Sequence, residues 1–390
     1  HGQWSVAGGR GAVALHQFRW HFIGNPAIRV RGFDVDPHPS QVDRTGLNRV
    51  NFLDRLRRGW LTRALCGAGL FAALGNSPAV FAADYQGEKV ADFVREMTQD
   101  YGFASEQVAE VLAQAERKQV ILDAISRPAE RVKAWKEYRP IFMTDSRIAQ
   151  GVDFWRENEA TLARAEQEFG VPAQVIVAII GVETFYGRNT GNYRVIDALS
   201  TLGFDYPPRQ PFFRQQLKEF LLLAREEQVD PLTLTGSYAG AMGLPQFMPS
   251  SFRAYAVDFD ADGRIDIWKN PVDAIGSAAN YFKQHGWTAG APVVARATVN
   301  GERHGEGLTE GLEPVKNAAE LRELGWQWPA ETKMPDDTAV TAFRLEGADG
   351  DEYWVGLPNF YVITRYNRSV MYAMAVHQLS EQLVQARGAQ

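Results

Sequence analysis

The chain has 390 residues, 45% of them apolar, enough for a sizeable core in one large or two to three ordinary domains. Its formal net charge of −6 excludes a dedicated nucleic-acid binder, which would carry a basic surplus. A polymer gripped by this chain is held by local contacts, and 10 Trp and 13 Tyr supply side chains that pair an apolar face with a polar tip.

Residues 1–54 lack a starting Met, show no sustained period and mix Gly, His and Pro. Next come the basic cluster Arg55-Leu56-Arg57-Arg58, an apolar stretch from Ala64 to Leu74, and Val80-Phe81-Ala82-Ala83. That is the order of a secretory signal, spanning 55–82 and cut after Ala82. The apolar stretch is too short to cross a bilayer as a helix. A signal belongs at the start of a protein, so 1–54 is expected to be an upstream extension outside the native protein. Cys66, the only cysteine, falls inside the signal, and the mature chain is expected to have neither disulfide nor thiol chemistry. Lipid attachment at Cys66 is disfavoured, because Arg63 stands where an aliphatic side chain is wanted. A soluble periplasmic protein is expected.

Residues 83–170 read as a helical domain. Val90, Phe93, Val94 and Met97 recur at helical spacing, and Ser105 is a candidate N-cap for a helix carrying Val108, Val111 and Leu112. A long helical pattern runs from about Asp145 to Phe169 and stops at Gly170. Pro172 opens the next helix at its first turn, and its segment from Val175 to Val182, apolar all round, is predicted to be buried. Residues 171–288 combine helix with loops rich in Gly and Pro. After Trp287 the texture changes. Val293 to Val299 reads as a strand ending in the hairpin signal Asn300-Gly301. Val340 to Leu345 and Tyr353 to Val355 are further strands, separated by Gly347 to Gly350. A small β insertion is predicted at 289–357, and a helix from about Ser369 to Ala386 within 358–390 closes the chain. No internal repeat is visible. The fold class expected is mainly α (α+β).

Glu183 stands at the end of the buried helix, in Gly181-Val182-Glu183-Thr184-Phe185-Tyr186-Gly187. So much apolar surface desolvates a carboxylate and raises its pKa. A carboxyl still protonated near neutral pH is what breaking a glycosidic bond requires. The second segment, Ser237 to Ser251, contains Gly240, Gly243, Pro245, Gln246 and Pro249. Its glycines suit close approach of backbone to a ligand, Gln246 offers donor and acceptor, and Ser237 offers a hydroxyl. No second carboxylate is signalled; Asp197 yields to ordinary capping or surface use.

Together these segments resemble the B-type lytic murein transglycosylases, from about Tyr85 to the C-terminus and most densely over 171–288, with a further match at Asn359 to Asn367. The resemblance implies a goose-lysozyme-like helical core and peptidoglycan glycan strands as substrate. It implies Glu183 as the single acid/base, with Ser237, Gln246, Phe247, Tyr281 and Tyr366 in the cleft and Arg209 binding substrate. It also implies a one-carboxylate route to 1,6-anhydromuramic acid, since an internal hydroxyl can outcompete water. The alternatives are a hydrolytic muramidase on the same core and a noncatalytic, calcium-dependent wall-binding protein. A monomer is expected, with cell-wall synthesis or lysis proteins as possible partners and no organic cofactor.

Asp258-Phe259-Asp260-Ala261-Asp262-Gly263-Arg264-Ile265-Asp266 places acids at the first, third, fifth and ninth positions of an EF-hand-like loop, with Gly at the sixth. Arg264 would contribute its backbone carbonyl. Lys269 stands at the twelfth position, where a bidentate Glu is usual, and Asp273 is expected to close a longer loop around a structural Ca²⁺.

Overall fold

The computed structural model describes residues 19–21, 29–31, 85, 87–126 and 133–389. The predicted signal at 55–82, Cys66 included, lies outside them. Within 1–54 the described pieces are β1 (Arg19–His21) and β2 (Arg29–Arg31), an antiparallel pair.

The first helices follow the apolar spacing. α1 (Glu88–Tyr101) buries Phe93 and Met97 and ends on Gly102 in the left-handed region, at φ 66°. α2 (Ser105–Ala113) buries Val108 and Leu112, but Ala104 occupies the N-cap position and Ser105 is the first helical residue. α3 (Gln119–Ser126) and α4 (Trp135–Tyr138) follow. The long pattern from Asp145 to Phe169 is two helices, α5 (Asp145–Glu157) and α6 (Glu159–Phe169). Asn158 breaks it at φ −116° and ψ 22°, and its side-chain amide donates to the Phe154 carbonyl at 2.9 Å. Such a local bond offers the backbone an alternative to helix. Apolar period alone does not register the break, because both halves keep their buried faces.

α7 (Ala173–Thr184) starts one residue later than expected, with Pro172 as its extended N-cap. All its residues except Gln174 are buried. It packs against α5, α6, α11 (Pro271–Gln284) and α14 (Val370–Gly388), so Glu183 is delivered from the centre of the molecule. Between them run α8 (Val195–Asp205), α9 (Gln210–Glu226) and α10 (Pro249–Tyr255). One apolar core joins Phe93, Leu162, Ile176, Leu217, Phe282 and Leu379. The division between 83–170 and 171–288 is therefore not a boundary in packing.

β3 (Tyr193–Arg194) and β4 (Thr235–Gly236) form a short antiparallel pair beside the core. Five further strands make an antiparallel sheet in the order β6-β8-β9-β5-β7. They are β5 (Val294–Val299), β6 (Lys316–Asn317), β7 (Trp326–Gln327), β8 (Ala339–Gly347) and β9 (Gly350–Gly356). The β8–β9 hairpin turns at Gly347 and Gly350, as their spacing suggests. No hairpin forms at Asn300-Gly301. β5 pairs instead with β7 and β9, and the Asn300 N–H donates to the Gly325 carbonyl at 2.9 Å. The segment after Gly301, Glu302–Gly307, is charged and Gly-rich and coils as a 3₁₀ helix, with no alternating face to pair. α12 (Ala318–Glu323), capped by Asn317, completes a second small core around Leu321, Trp326, Val340 and Val355.

The chain returns to the main core through α13 (Pro358–Tyr366). Phe343 of β8 stacks on Phe360 at 5.0 Å, and Asn359 bonds both the N–H and the carbonyl of Thr288. Ser369 caps α14 by accepting from the Tyr372 N–H. Among the described residues no single helix is long and apolar enough to cross a membrane.

Candidate active site

Glu183 is 6% exposed and sits one residue before the end of α7. Burial pushes its carboxyl up to about 8, against the opposing effect of a hydrogen bond donated by Tyr372. The Tyr372 hydroxyl donates to Glu183 Oε1. Burial, and then the nearness of Glu183, raises Tyr138 and Tyr366 as well. The carboxyl therefore lies among buried phenols: desolvation disfavours its charge, and the Tyr372 hydroxyl partly favours it. Those phenols come from α4, α13 and α14, all far from Glu183 in sequence.

The backbone turns sharply just beyond Glu183. Phe185 and Tyr186 are both left-handed, at φ 52° and 59°. Consecutive non-glycine residues in that region store strain, and such strain concentrates at functional sites. Two contacts hold it. The Arg147 guanidinium donates to the Gly181 carbonyl and stacks 4.7 Å from the Phe185 ring, a cation placed at the negative end of α7. The Tyr186 ring fills the space where Gly181 has no side chain; a Cβ there would meet its hydroxyl at 2.6 Å.

The Ser237–Pro249 loop closes against this turn. The Thr184 hydroxyl donates to the Leu244 carbonyl at 3.1 Å, and the Tyr366 hydroxyl donates to the Pro245 carbonyl at 2.6 Å. Phe247, Tyr281 and Tyr366 cluster with ring centroids 4.7 to 5.9 Å apart. Tyr281 is fixed in turn by donating to the Arg365 carbonyl. Ser237 Oγ accepts from the N–H groups of Ala239 and Ala241, which leaves its hydroxyl proton to donate. Gln246 is 1% exposed and left-handed at φ 52°. Its amide donates to the Thr190 and Gly243 carbonyls, and its buried Oε1 has no partner. Its donors are spent on the loop, and only the acceptor remains.

The loop glycines do not act as expected. Gly243 (φ 67°) lies against the carbonyl and side chain of Ile267, and Gly240 (φ 83°) against Leu199. Their missing Cβ atoms admit the protein's own atoms, not a ligand. Arg209 lies in the turn Pro207–Arg209 at the head of α9, its guanidinium 4.1 Å over the Phe212 ring, outside the tyrosine cluster. Asp197 is a structural acid: it accepts two bonds from Arg194 and one from the Glu116 N–H.

The arrangement holds one buried carboxyl, neutral near pH 7, beside a loop rich in hydroxyl and aromatic groups. Residues 86–381 match the family described as the transglycosylase SLT domain. The chain belongs to that family. It is 46% identical over 304 residues to membrane-bound lytic murein transglycosylase B of Escherichia coli, covering 76% of this chain and 82% of the relative. The crystal structure of soluble lytic transglycosylase SltB1 from Pseudomonas aeruginosa is 67% identical and superposes with a TM-score of 0.75 over 77% of this chain and all of that one. The Escherichia coli lytic transglycosylase Slt35, solved in complex with calcium, is 45% identical, with a TM-score of 0.69 over 77% of this chain and 93% of that one. As a member of the family the chain is a lytic transglycosylase, and the mainly α, lysozyme-like architecture is the family's own.

In this transglycosylase the carboxylates of Asp258, Asp260 and Asp262 converge, one oxygen from each lying within 4.8 Å of the others. Asp258 accepts from the Asp262 and Gly263 N–H groups, Asp260 from Asn270, and Asp262 from the Arg264 N–H. Three hard oxygen donors at that spacing fit a calcium ion. Asp273 does not join them. It is fully buried, and its two oxygens accept from the N–H groups of Phe259 and Asp266 at 2.8 Å each. It braces the loop ends from beneath. Ninth-position Asp266, half-buried, accepts with Oδ1 from the Trp268 and Lys269 N–H groups of the turn that follows.

Tyr372, Tyr138 and Arg147 were not singled out from sequence. Each lies on a helix whose pattern reads as ordinary core, and no local motif links any of them to Glu183.

Proposed function

We propose that this chain cleaves the β-1,4 bond between N-acetylmuramic acid and N-acetylglucosamine in peptidoglycan glycan strands, with Glu183 as its only acid/base. The observation that carries the reading is the buried Glu183 carboxyl, held neutral by desolvation. Tyr372 donates to Oε1, so the proton resides on the other oxygen and is free to leave. That proton goes to the glycosidic oxygen as the C1–O bond breaks. The C6 hydroxyl of the same muramic residue then attacks C1, closing a 1,6-anhydro ring and returning its proton to Glu183. Tethering gives this hydroxyl a high effective molarity, so no second carboxylate is needed to activate water. Ser237, with a free hydroxyl proton, and Gln246, with a free acceptor, bind the sugar; Phe247, Tyr281 and Tyr366 wall its cleft, and Arg209 holds a more distant part of the strand.

Mass analysis of digested sacculi tests this directly. Anhydromuramic ends are expected; reducing ends, heavier by one water, would show a hydrolytic muramidase instead.

In the same reading residues 55–82 export the chain, and it works in the periplasm. Residues 83–170 and 358–390 complete a catalytic core built on 171–288, and 289–357 forms a small β subdomain. Asp258, Asp260 and Asp262 would hold a structural Ca²⁺, with the Arg264 carbonyl at the adjoining position. The ion would relieve the mutual repulsion of three converging carboxylates and pin the segment between Gln246 and Tyr281. Chelation is expected to lower the melting temperature, and Asp262→Asn to abolish that dependence. At calcium a hundredfold above its Kd the stabilisation would be about 2.7 kcal/mol. A melting curve indifferent to chelator would remove calcium from the account.

A further inference from the structure

Away from the Glu183 site, the outer edge of the five-stranded sheet carries a groove of about 690 Å³ that the reaction does not use. Its walls include Arg322, Trp326, Gln327, Trp328, Lys333 and Met334. The volume falls within the range of small-ligand sites. β7 is the last strand in the sheet order and, among the described residues, pairs only with β5; Trp326 is fully buried and Gln327 is its exposed residue beside the groove.

The groove has a defined chemistry. Arg322 is held in place: it pairs with Asp336, donates to the Met334 carbonyl at 3.1 Å, and lies 4.7 Å over the half-buried Trp328 ring. Lys333 is exposed and makes no ion pair among the described residues. Its backbone is left-handed, at φ 37° and ψ 64°, a conformation an ordinary loop lysine avoids. Both charged lining residues are cations, and no lining residue is acidic, in a chain whose net charge is −6. Trp328, Met334 and Pro335 add apolar surface.

A ligand that matches all three properties is an extended, anionic peptide with short apolar side chains. Its main-chain amides can bond the exposed Gln327 of β7, its carboxylate can pair with Lys333, and its methyl groups can lie on Trp328 and Met334. A glycan stripped of its stems keeps only the lactyl carboxylate of each muramic residue and offers no peptide main chain or apolar side chains to the groove. Resting on the peptidoglycan reading above, we propose that this groove is a second binding site, specific for the carboxylate-bearing peptide stems of the polymer. It holds the strand by its peptides while Glu183 acts on the sugars.

The test uses the full chain carrying Glu183→Gln, so that the probe survives, and two probes: uncrosslinked glycan strands with intact stems, and the same strands after an amidase has removed the stems. Lys333→Glu lies on the surface and should fold. It is expected to weaken binding of the stem-bearing strands by about fivefold to tenfold and to leave the bare strands unaffected. Trp328→Leu should act in the same direction. Equal loss on both probes would make the groove a glycan site, and no loss on either would reduce Lys333 to a charge that blunts a sheet edge; either result overturns the proposal. Failure of the parent reading is separable, because it would appear as wild-type protein that leaves sacculi intact.

Discussion

Glu183→Gln is expected to lower the release of soluble fragments from sacculi by about a thousandfold or more while leaving the fold intact. The loss follows from the proposed role: a positioned general acid contributes about 10²–10⁴, and in the proposed route one group both gives and takes the proton. Retention of the fold follows from the geometry. Gln has the same shape, and its amide oxygen can still accept from Tyr372 where Glu183 Oε1 does. Circular dichroism and melting curves check the fold, and turbidity clearance of sacculi checks the rate. Clearance near the wild-type rate would remove Glu183 from the mechanism and require another acid. The amide also separates binding from chemistry, since the variant should still retain glycan strands.

The second large effect is on pH dependence, and it follows from the Glu183 carboxyl being raised from 4.5 to about 8. The acid must be protonated to start the reaction, so activity should hold up to about pH 8 and then fall roughly tenfold per pH unit. Tyr372→Phe removes the bond that lowers the carboxyl, so the fall should move to higher pH. Stability runs the same way. Between pH 4.5 and about 8 the folded chain keeps a proton that the unfolded chain has lost. The stabilisation from this group is complete below 4.5 and declines up to about 8. The slope is roughly 1.4 kcal/mol per pH unit at most. Glu183→Gln has no such proton to lose. Its stability relative to wild type should therefore rise from pH 4 to pH 8, as read by urea unfolding at each pH. A constant difference would mean that Glu183 titrates normally and that its pocket is wetter than the geometry implies.

Some of this was open to inspection in the linear chain, because the physics involved is local. The all-apolar run before Glu183, opened by Pro172, reads as a buried helix, and so much apolar surface is expected to desolvate the carboxyl at its end. The β8–β9 turn was legible from its bounding glycines, and the convergence of Asp258, Asp260 and Asp262 from their alternate spacing. Other errors were local as well. The Asn158 break leaves apolar periodicity unchanged, so periodicity could not find it. The Asn300-Gly301 turn lacked a second strand, and a turn signal carries no information about its partner.

What the sequence alone determined is the buried helix that ends at Glu183 and the acidic loop of Asp258, Asp260 and Asp262, since each depends on neighbours within a few residues. Only the tertiary structure decided what surrounds them. Tyr372 lies 189 residues from Glu183 yet bonds it, Arg147 reaches the Gly181 carbonyl from another helix, and Asp273 is drawn under the metal loop and away from it. The physical reason is common to all three. Desolvation, hydrogen bonding and ligand geometry act over a few ångströms, and only packing of the helices decides which distant side chains come within that range.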